Sequence, residues 1–500
     1  MSEKLVRLKE LLGEVSDINR AVALLDWDQQ VNIPPKGHEA RGQQMATLGK
    51  LAHERATTDE IGGLIDDLKT EFAGADPASD EAAMIHVASR DYDKATRVPS
   101  DFVAERAVVS SNAFEAWGEA RAKSDFSIFR PHLEKVVGLT RKYVSFFPPA
   151  DHPYDILLDD YESGMKTADV KTIFNGLRPR QVELIKSISS AKQVEDGFLF
   201  GSYEEKKMLG FGVDVVTKYG YDWSRGRQDR ALHPFETSFS VNDVRITTRF
   251  EADNPTAMVF STMHEAGHAM YEQGVSPAYE RTSLAGGTSL AVHESQSRMW
   301  ENLVGRSLPF WEHFFPAFKD TFPNQLKEVD VQAFYKAINK VEPSLIRVNA
   351  DEATYNLHIM LRLELEIAMV EGTVEVKDLP DIWNAKMEEY LGVTPPNDAQ
   401  GVLQDVHWSG GSIGYFSTYA LGNLISAQLW EKINEDINDL DDQIRKGDFS
   451  QLLTWLRKNI HQHGSKFEPQ TLVERVTGSK ITPDPYIRYL TKKYSEIYNL

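Results

Sequence analysis

The 500-residue sequence contains no cysteine. A disulfide framework and thiolate metal ligands are thereby excluded, which leaves imidazole and carboxylate as the strong protein ligands for a transition metal. Long apolar runs are missing too: nothing approaches the roughly 18 consecutive apolar residues that a membrane-spanning helix needs. The opening MSEKLVRLKELLGEVSDINRAVALLDW is a charge-rich amphipathic pattern rather than a signal segment. No membrane partner is expected, and a cytoplasmic location is. Positive charge is scarce: 55 Lys and Arg against 75 Asp and Glu leave a net −20, which repels a phosphate backbone over most of the exterior and argues against nucleic acid as a partner. Neither a repeat period nor a low-complexity tract interrupts the chain.

What is present describes an ordinary globular chain, 41% hydrophobic and 26% charged, long enough for a large core. Helical periodicity dominates. Leu5, Leu8, Leu12, Val15, Ile18 and Leu25 form one stripe over 3–27, and similar patterns recur around 101–145, 325–340, 344–370 and 420–440. The expected fold class is mainly α. The stretches AGADPASD, FFPPADHP and VTPPND are loops rather than linkers, so the expectation is a single unit over 1–500, with a bilobed arrangement left open. One exception stands out at 232–250, LHPFETSFSVNDVRITTRF, whose alternating β-branched and aromatic residues around an Asn-Asp turn predict a small hairpin.

Just downstream lies STMHEAGHAMYEQG, residues 261–274. Asn254 followed by Pro255 is a helix start and Gly274 a plausible stop, so 255–273 reads as one helix, uncharged from Pro255 to Met263 and therefore buried. Burying His264, Glu265 and His268 unpaired would cost several kcal/mol, on the order of what an unsatisfied polar group costs. Imidazoles at i and i+4 lie on one face about 6 Å apart and can share one divalent metal, while the intervening glutamate can act on a water there. His264 and His268 are thus candidate metal ligands and Glu265 the candidate catalytic base. Zn²⁺ is favoured, and Co²⁺ or Mn²⁺ would fit the same donors. Glu272 lies about 12 Å up the same axis and cannot converge on the metal. Three glutamates compete for third ligand: Glu294, in a helix that Thr288 or Ser289 can cap, Glu280 in a loop, and Glu301 in a stretch expected to be exposed. Glu294 is favoured.

Five stretches in order, DVRIT at 243–247, HEAGH at 264–268, HESQ at 293–296, IRVNAD at 346–351 and GVLQDVHW at 401–408, make the chain resemble the M32 metallocarboxypeptidases, the carboxypeptidase Taq family, over most of its length. The resemblance implies a neurolysin-like helical body with a long substrate groove and a small β-sheet beside the metal site, commonly a homodimer, acting as a metal-dependent carboxypeptidase on peptides with a free C-terminus. It also supports Glu294 as third ligand. In IRVNAD, Ser344 is expected to cap a helix whose first turn holds Arg347, where a cation opposes the helix dipole. Arg347 then either pairs with Asp351 or, as the motif context favours, grips a substrate carboxylate. His407 and Tyr415, in a glycine-rich stretch leading into a helix, are candidate substrate-binding donors. Asp243, Arg245 and Thr247 are expected to hold the sheet, and His293 to support a ligand. An M3-like oligopeptidase is the alternative enzyme; a helical binding protein with a vestigial motif is the alternative outside catalysis.

Overall fold

The computed structural model describes residues 2–500, apart from the side chain of Pro255. Each of its two compact units is assembled from three stretches of chain. The first comprises Met1–Thr96, Glu195–Ile338 and Leu429–Gly478, the second Arg97–Val194, Asn339–Gln428 and Ser479–Leu500. Both are built from helices, and the one sheet among the described residues has three strands. No helix among the described residues is long and apolar enough to cross a membrane.

In the first unit the opening helix, Glu3–Val31, outruns its expected end and buries Leu5, Leu8, Leu11 and Trp27. The sheet consists of β1 (Gly226–Arg230), β2 (Glu236–Ser240) and β3 (Asp243–Thr248) in the order β1-β3-β2. The expected hairpin is β2 with β3, antiparallel, and the turn falls on Val241 and Asn242 rather than on Asn-Asp. Sequence periodicity missed β1, which adds in parallel on the other side of β3 and is too polar (GRQDR) to alternate. Arg245 secures the sheet: it pairs with Asp243 at 2.8 Å and stacks over Trp27 and Phe239, 4.4 and 4.9 Å from the ring centres. Thr247 adds a bond from the Phe235 amide at 2.8 Å.

Against β3 packs α1 (Pro255–Gly274), capped as expected by Asn254, whose side chain accepts from the amides of Thr256 and Ala257. Gly274 is the last residue of the helix rather than the first beyond it, without a positive φ, and Val275 follows as the C-cap. The small size of Gly274 answers a contact instead: a Cβ there would sit 2.6 Å from the His461 ring. Next comes α2 (Leu290–Arg298), capped by Ser289 Oγ at the Val292 amide and continued by a π-helical turn, Met299–Val304.

In the second unit the patterned stretch 101–145 divides into Ser100–Lys123 and Phe126–Val144, broken where Ser124 turns left-handed at φ 54° and Asp125 caps the next helix. The helix expected over 344–370 begins only at Tyr355: α3 is Tyr355–Glu371. Ser344 is therefore not its cap, and Arg347 lies outside it in a short 3₁₀ turn, Arg347–Asn349. Asp351 fixes the turn that leads into α3, accepting from the amides of Ala353 and Thr354 at 2.9 and 3.0 Å. The Gln404 side chain holds 345–347 in place by accepting from the Arg347 amide and donating to the Leu345 carbonyl. The pattern around 420–440 becomes α4 (Ser417–Asp436), which begins in the second unit and ends in the first, plus Leu440–Arg445 of the first; that around 325–340, also in the first unit, shortens to Val331–Ile338.

Candidate active site

In the first unit, α1 and α2 touch backbone to backbone at Gly267, where a Cβ would lie 2.7 Å from the Gln296 carbonyl and the Ser297 Cα. That approach places Glu294 of α2 against the histidines of α1. One ligating atom each from His264, His268 and Glu294 lie within 4.8 Å of one another. Glu294 Oε2 stands 3.6 Å from His264 Nε2 and 3.5 Å from His268 Nε2, close to the edge of about 3.3 Å expected for ligands about 2.0 to 2.1 Å from one tetrahedral metal.

The outer atoms of all three groups are engaged, which leaves the converging ones for a metal. His264 Nδ1 donates to Glu301 at 2.8 Å. On the other side His293 Nε2 donates to Glu272 Oε1 at 2.8 Å, so its Nδ1 accepts from His268 Nδ1, also at 2.8 Å, and His268 Nε2 keeps its lone pair. Arg298 Nε holds Glu294 Oε1 at 2.6 Å and its Nη1 reaches Glu301 at 3.3 Å. The donor set, two imidazoles and a carboxylate with fixed tautomers, fits a divalent metal.

Electrostatics favour the same conclusion. Glu265, Glu294 and Glu301 crowd one pocket, answered by Arg298, by Arg306 (3.7 Å from Glu301) and by His264, whose place as a cation a metal would take. Burial alone would strip His264 of a proton, but Glu294 and Glu301 raise it to about 9. Burial dominates at His268, lowering it to about 4. Glu294 and Glu301 are ionised against the cost of burial, chiefly by Arg298 and His264, Glu301 at about 2. Glu265 is buried, forms no hydrogen bond among the described residues, and is pushed up to about 7 by burial first and then Glu294, with His264 opposing.

Of the competitors for third ligand, Glu280 instead accepts from Ser240 Oγ at 3.0 Å and the Val241 amide at 2.5 Å, fixing the hairpin turn. Glu301 is not exposed as expected: its side chain is 12% accessible. Its support of His264 was legible in principle, because seven residues after Glu294 is two turns on and the same face. Replacing Glu301 with Gln removes the charged acceptor and should weaken metal affinity about 10- to 100-fold, read by competition with a fluorescent chelator; unchanged affinity would remove Glu301 from the site.

In the second unit the structure brings Arg347 and His407, but not Asp351, to Asp405, with Tyr415 beside the His407 ring. Arg347 is buried; its Nε and Nη2 donate to Asp405 Oδ1 at 3.0 and 2.7 Å and its Nη1 to Tyr355 at 2.9 Å. The expected alternative pairing with Asp351 does not occur, since Asp351 is committed to the amides of Glu342 and of the turn before α3. Sequence reasoning missed Arg362, which is fully buried, donates through Nε to Asp405 Oδ2 at 2.6 Å and stacks on Trp383. Burial resists charge on Asp405, yet Arg362 and Arg347 hold it far below the carboxylate range. Burial lowers His407 to about 4, so it is neutral; its Nδ1 has no hydrogen-bond partner, and its ring lies 5.4 Å from Tyr415 and 4.5 Å from Phe416. Tyr415 also stacks edge-on with Tyr161 and Tyr419.

Comparison with known proteins is extensive. Residues 7–494 match the family described as carboxypeptidase Taq (M32) metallopeptidase. The chain is 42% identical over 501 residues, 98% of each sequence, to thermostable carboxypeptidase 1 of Thermus thermophilus. Among solved structures it is similar to an M32 carboxypeptidase from Deinococcus radiodurans R1, at 42% identity, TM-score 0.97 and full coverage of both chains. Metallocarboxypeptidase 1 of Trypanosoma cruzi matches at 32% identity and TM-score 0.94, over 98% of this chain and 99% of that one.

Proposed function

The chain belongs to the carboxypeptidase Taq (M32) metallopeptidase family and is a metal-dependent carboxypeptidase; from that premise we propose that His264, His268 and Glu294 hold its divalent metal and that Glu265 is the catalytic base. The observation that carries this reading is the convergence of those three ligand atoms with every outer atom already taken. Zn²⁺ is the proposed metal, and when bound it acidifies a water and polarises the scissile carbonyl. Glu265, buried and unbonded next to His264, takes the proton from the attacking water and delivers it to the leaving amine. Arg298 and Glu301 keep Glu294 and His264 in ligating orientation; the His293–Glu272 pair does so for His268.

Arg347 is the proposed receptor for the substrate's α-carboxylate. Three of its five N–H groups are used, one remaining on each terminal nitrogen, and with Arg362 it gives two guanidinium charges to the single carboxylate Asp405. That hydrogen-bonded set therefore has an excess positive charge for an anion to neutralise. His407 and Tyr415 are proposed as donors to the substrate. We further propose that the two units act as one catalytic unit and that the chain pairs with a second copy of itself, as the family resemblance implies; its mass in solution by light scattering decides the latter.

Incubating the protein with a defined peptide and following products by mass should show residues lost singly from the C-terminus, stopped by a chelator. Glu294→Gln should cost most of the bound metal, measured by elemental analysis after dialysis. Full metal and full activity in that variant would move the third ligand elsewhere.

A further inference from the structure

A carboxyl group on β2 lies beside the metal-binding pocket without a part in it. β2 is an edge strand, and its register sets Glu236 opposite Ile246 and Ser238 opposite Val244. Ile246 and Val244 are fully buried on the face of β3 that also carries Thr248, whose Oγ1 meets Thr262 of α1 at 3.2 Å, and paired residues share a face. Glu236 thus faces α1, as Ser238 does, whose Oγ donates to Glu272 of that helix at 3.3 Å.

Glu236 makes no hydrogen bond among the described residues, and its Oε1 is sealed from solvent with no donor. The charges facing it are Glu272 and Glu265 on α1, which repel it, and Arg20 of the opening helix, which attracts it. Arg20 does not bond to it, since its Nη1 is committed to the carbonyl and hydroxyl of Ser238. Burial and the two glutamates push the Glu236 carboxyl well above the ordinary carboxylate range. Buried polar groups in folded chains nearly always have partners. A buried acid left without one, yet on a residue that keeps some solvent access, is set up to receive a donor from outside, and a cation satisfies it best because it also relieves repulsion from Glu265 and Glu272.

We propose that Glu236 is a specificity-determining residue that pairs with the cationic side chain of a lysine or arginine flanking the scissile bond. The proposal rests on the placement of cleavage at Glu265 given above. It is tested with matched peptides carrying lysine, norleucine or glutamate on either side of the bond cleaved. Wild-type protein should favour lysine over norleucine in kcat/KM by on the order of 10- to 100-fold at one of the two positions, the range of a charged hydrogen bond, and should disfavour glutamate there. Glu236→Gln should abolish that preference while cleavage of the norleucine peptide and the thermal midpoint hold, and Glu236→Lys should transfer the preference to glutamate. A wild-type enzyme indifferent to the three side chains overturns the proposal. So does a Glu236→Gln variant that loses rate equally on all peptides, or one that keeps the lysine preference while Glu236→Ala loses activity throughout, the pattern of a backbone N–H acceptor. Cleavage of the norleucine peptide by wild type, abolished by Glu265→Gln, reads the active centre itself, so the two assignments fail separately.

Discussion

Glu265→Gln should retain a full equivalent of metal and lose about 10² to 10⁴ in kcat, the range of a general base. The side chain lies between the two candidate ligands in sequence but takes no part in the network that fixes them: Glu301, His293 and Arg298 do that work. Gln preserves its volume and cannot accept a proton. Nor should the substitution harm the fold. Glu265 is buried with no hydrogen-bond partner among the described residues, and burial together with Glu294 raises its pKa to about 7, so a neutral amide replaces a charge that the surroundings disfavour. A thermal midpoint at or above that of the parent is expected beside the lost rate. Metal content by elemental analysis and single-turnover rates on a free peptide give the two readouts. Loss of metal in this variant would make Glu265 a ligand and refute its assignment as base.

Much of this centre was legible because its determinants are local. His264, Glu265 and His268 share one capped, uncharged stretch, and Ser289 announces the helix that carries Glu294. The mainly α fold and the hairpin of β2 and β3 followed from periodicity for the same reason. What was missed is long-range or breaks a local rule. Glu301 reads as exposed because the polar face of an amphipathic stretch usually is, whereas here that face turns inward onto His264. Arg347 was placed in a helix because the apolar pattern runs on past Ser344, but Asp351 offers its carboxylate to the next amides and Gln404, 57 residues away, captures the Arg347 amide. Asp405 and Arg362 meet across 43 residues, a separation that no periodicity reports. A bilobed arrangement could be left open but not bounded, because each unit is stitched from three stretches and the chain crosses at Thr96, Val194, Ile338, Gln428 and Gly478; the crossing at Gln428 falls inside α4.

A peptide ending in a carboxamide should be a very poor substrate, and Arg347→Ala should erase most of the difference between it and the free acid. The expectation rests on the charges around Asp405. That carboxylate is shared by two guanidinium groups, of which Arg362 is fully enclosed, bonded to Asp405, the His358 carbonyl and Gln404. Arg347 retains one N–H on each terminal nitrogen. An incoming carboxylate can take both and neutralise the excess charge, whereas a carboxamide brings no charge and leaves the guanidinium short of an acceptor, at a cost of about 2 to 5 kcal/mol. Removing Arg347 still leaves Asp405 paired with Arg362, so Arg347→Ala should fold, unlike Asp405→Ala, which would strand two buried cations. The variant's loss should fall on cleavage of the free acid and spare the already slow carboxamide. Arg347→Lys should restore only part of it, because a point charge cannot reproduce a two-pronged contact. The measurement is kcat/KM for one peptide as acid and as amide, on parent and both variants, with product masses reporting where the chain is cut. Equal cleavage of acid and amide by the parent would reduce Arg347 to a structural partner of Asp405 and remove it from substrate recognition.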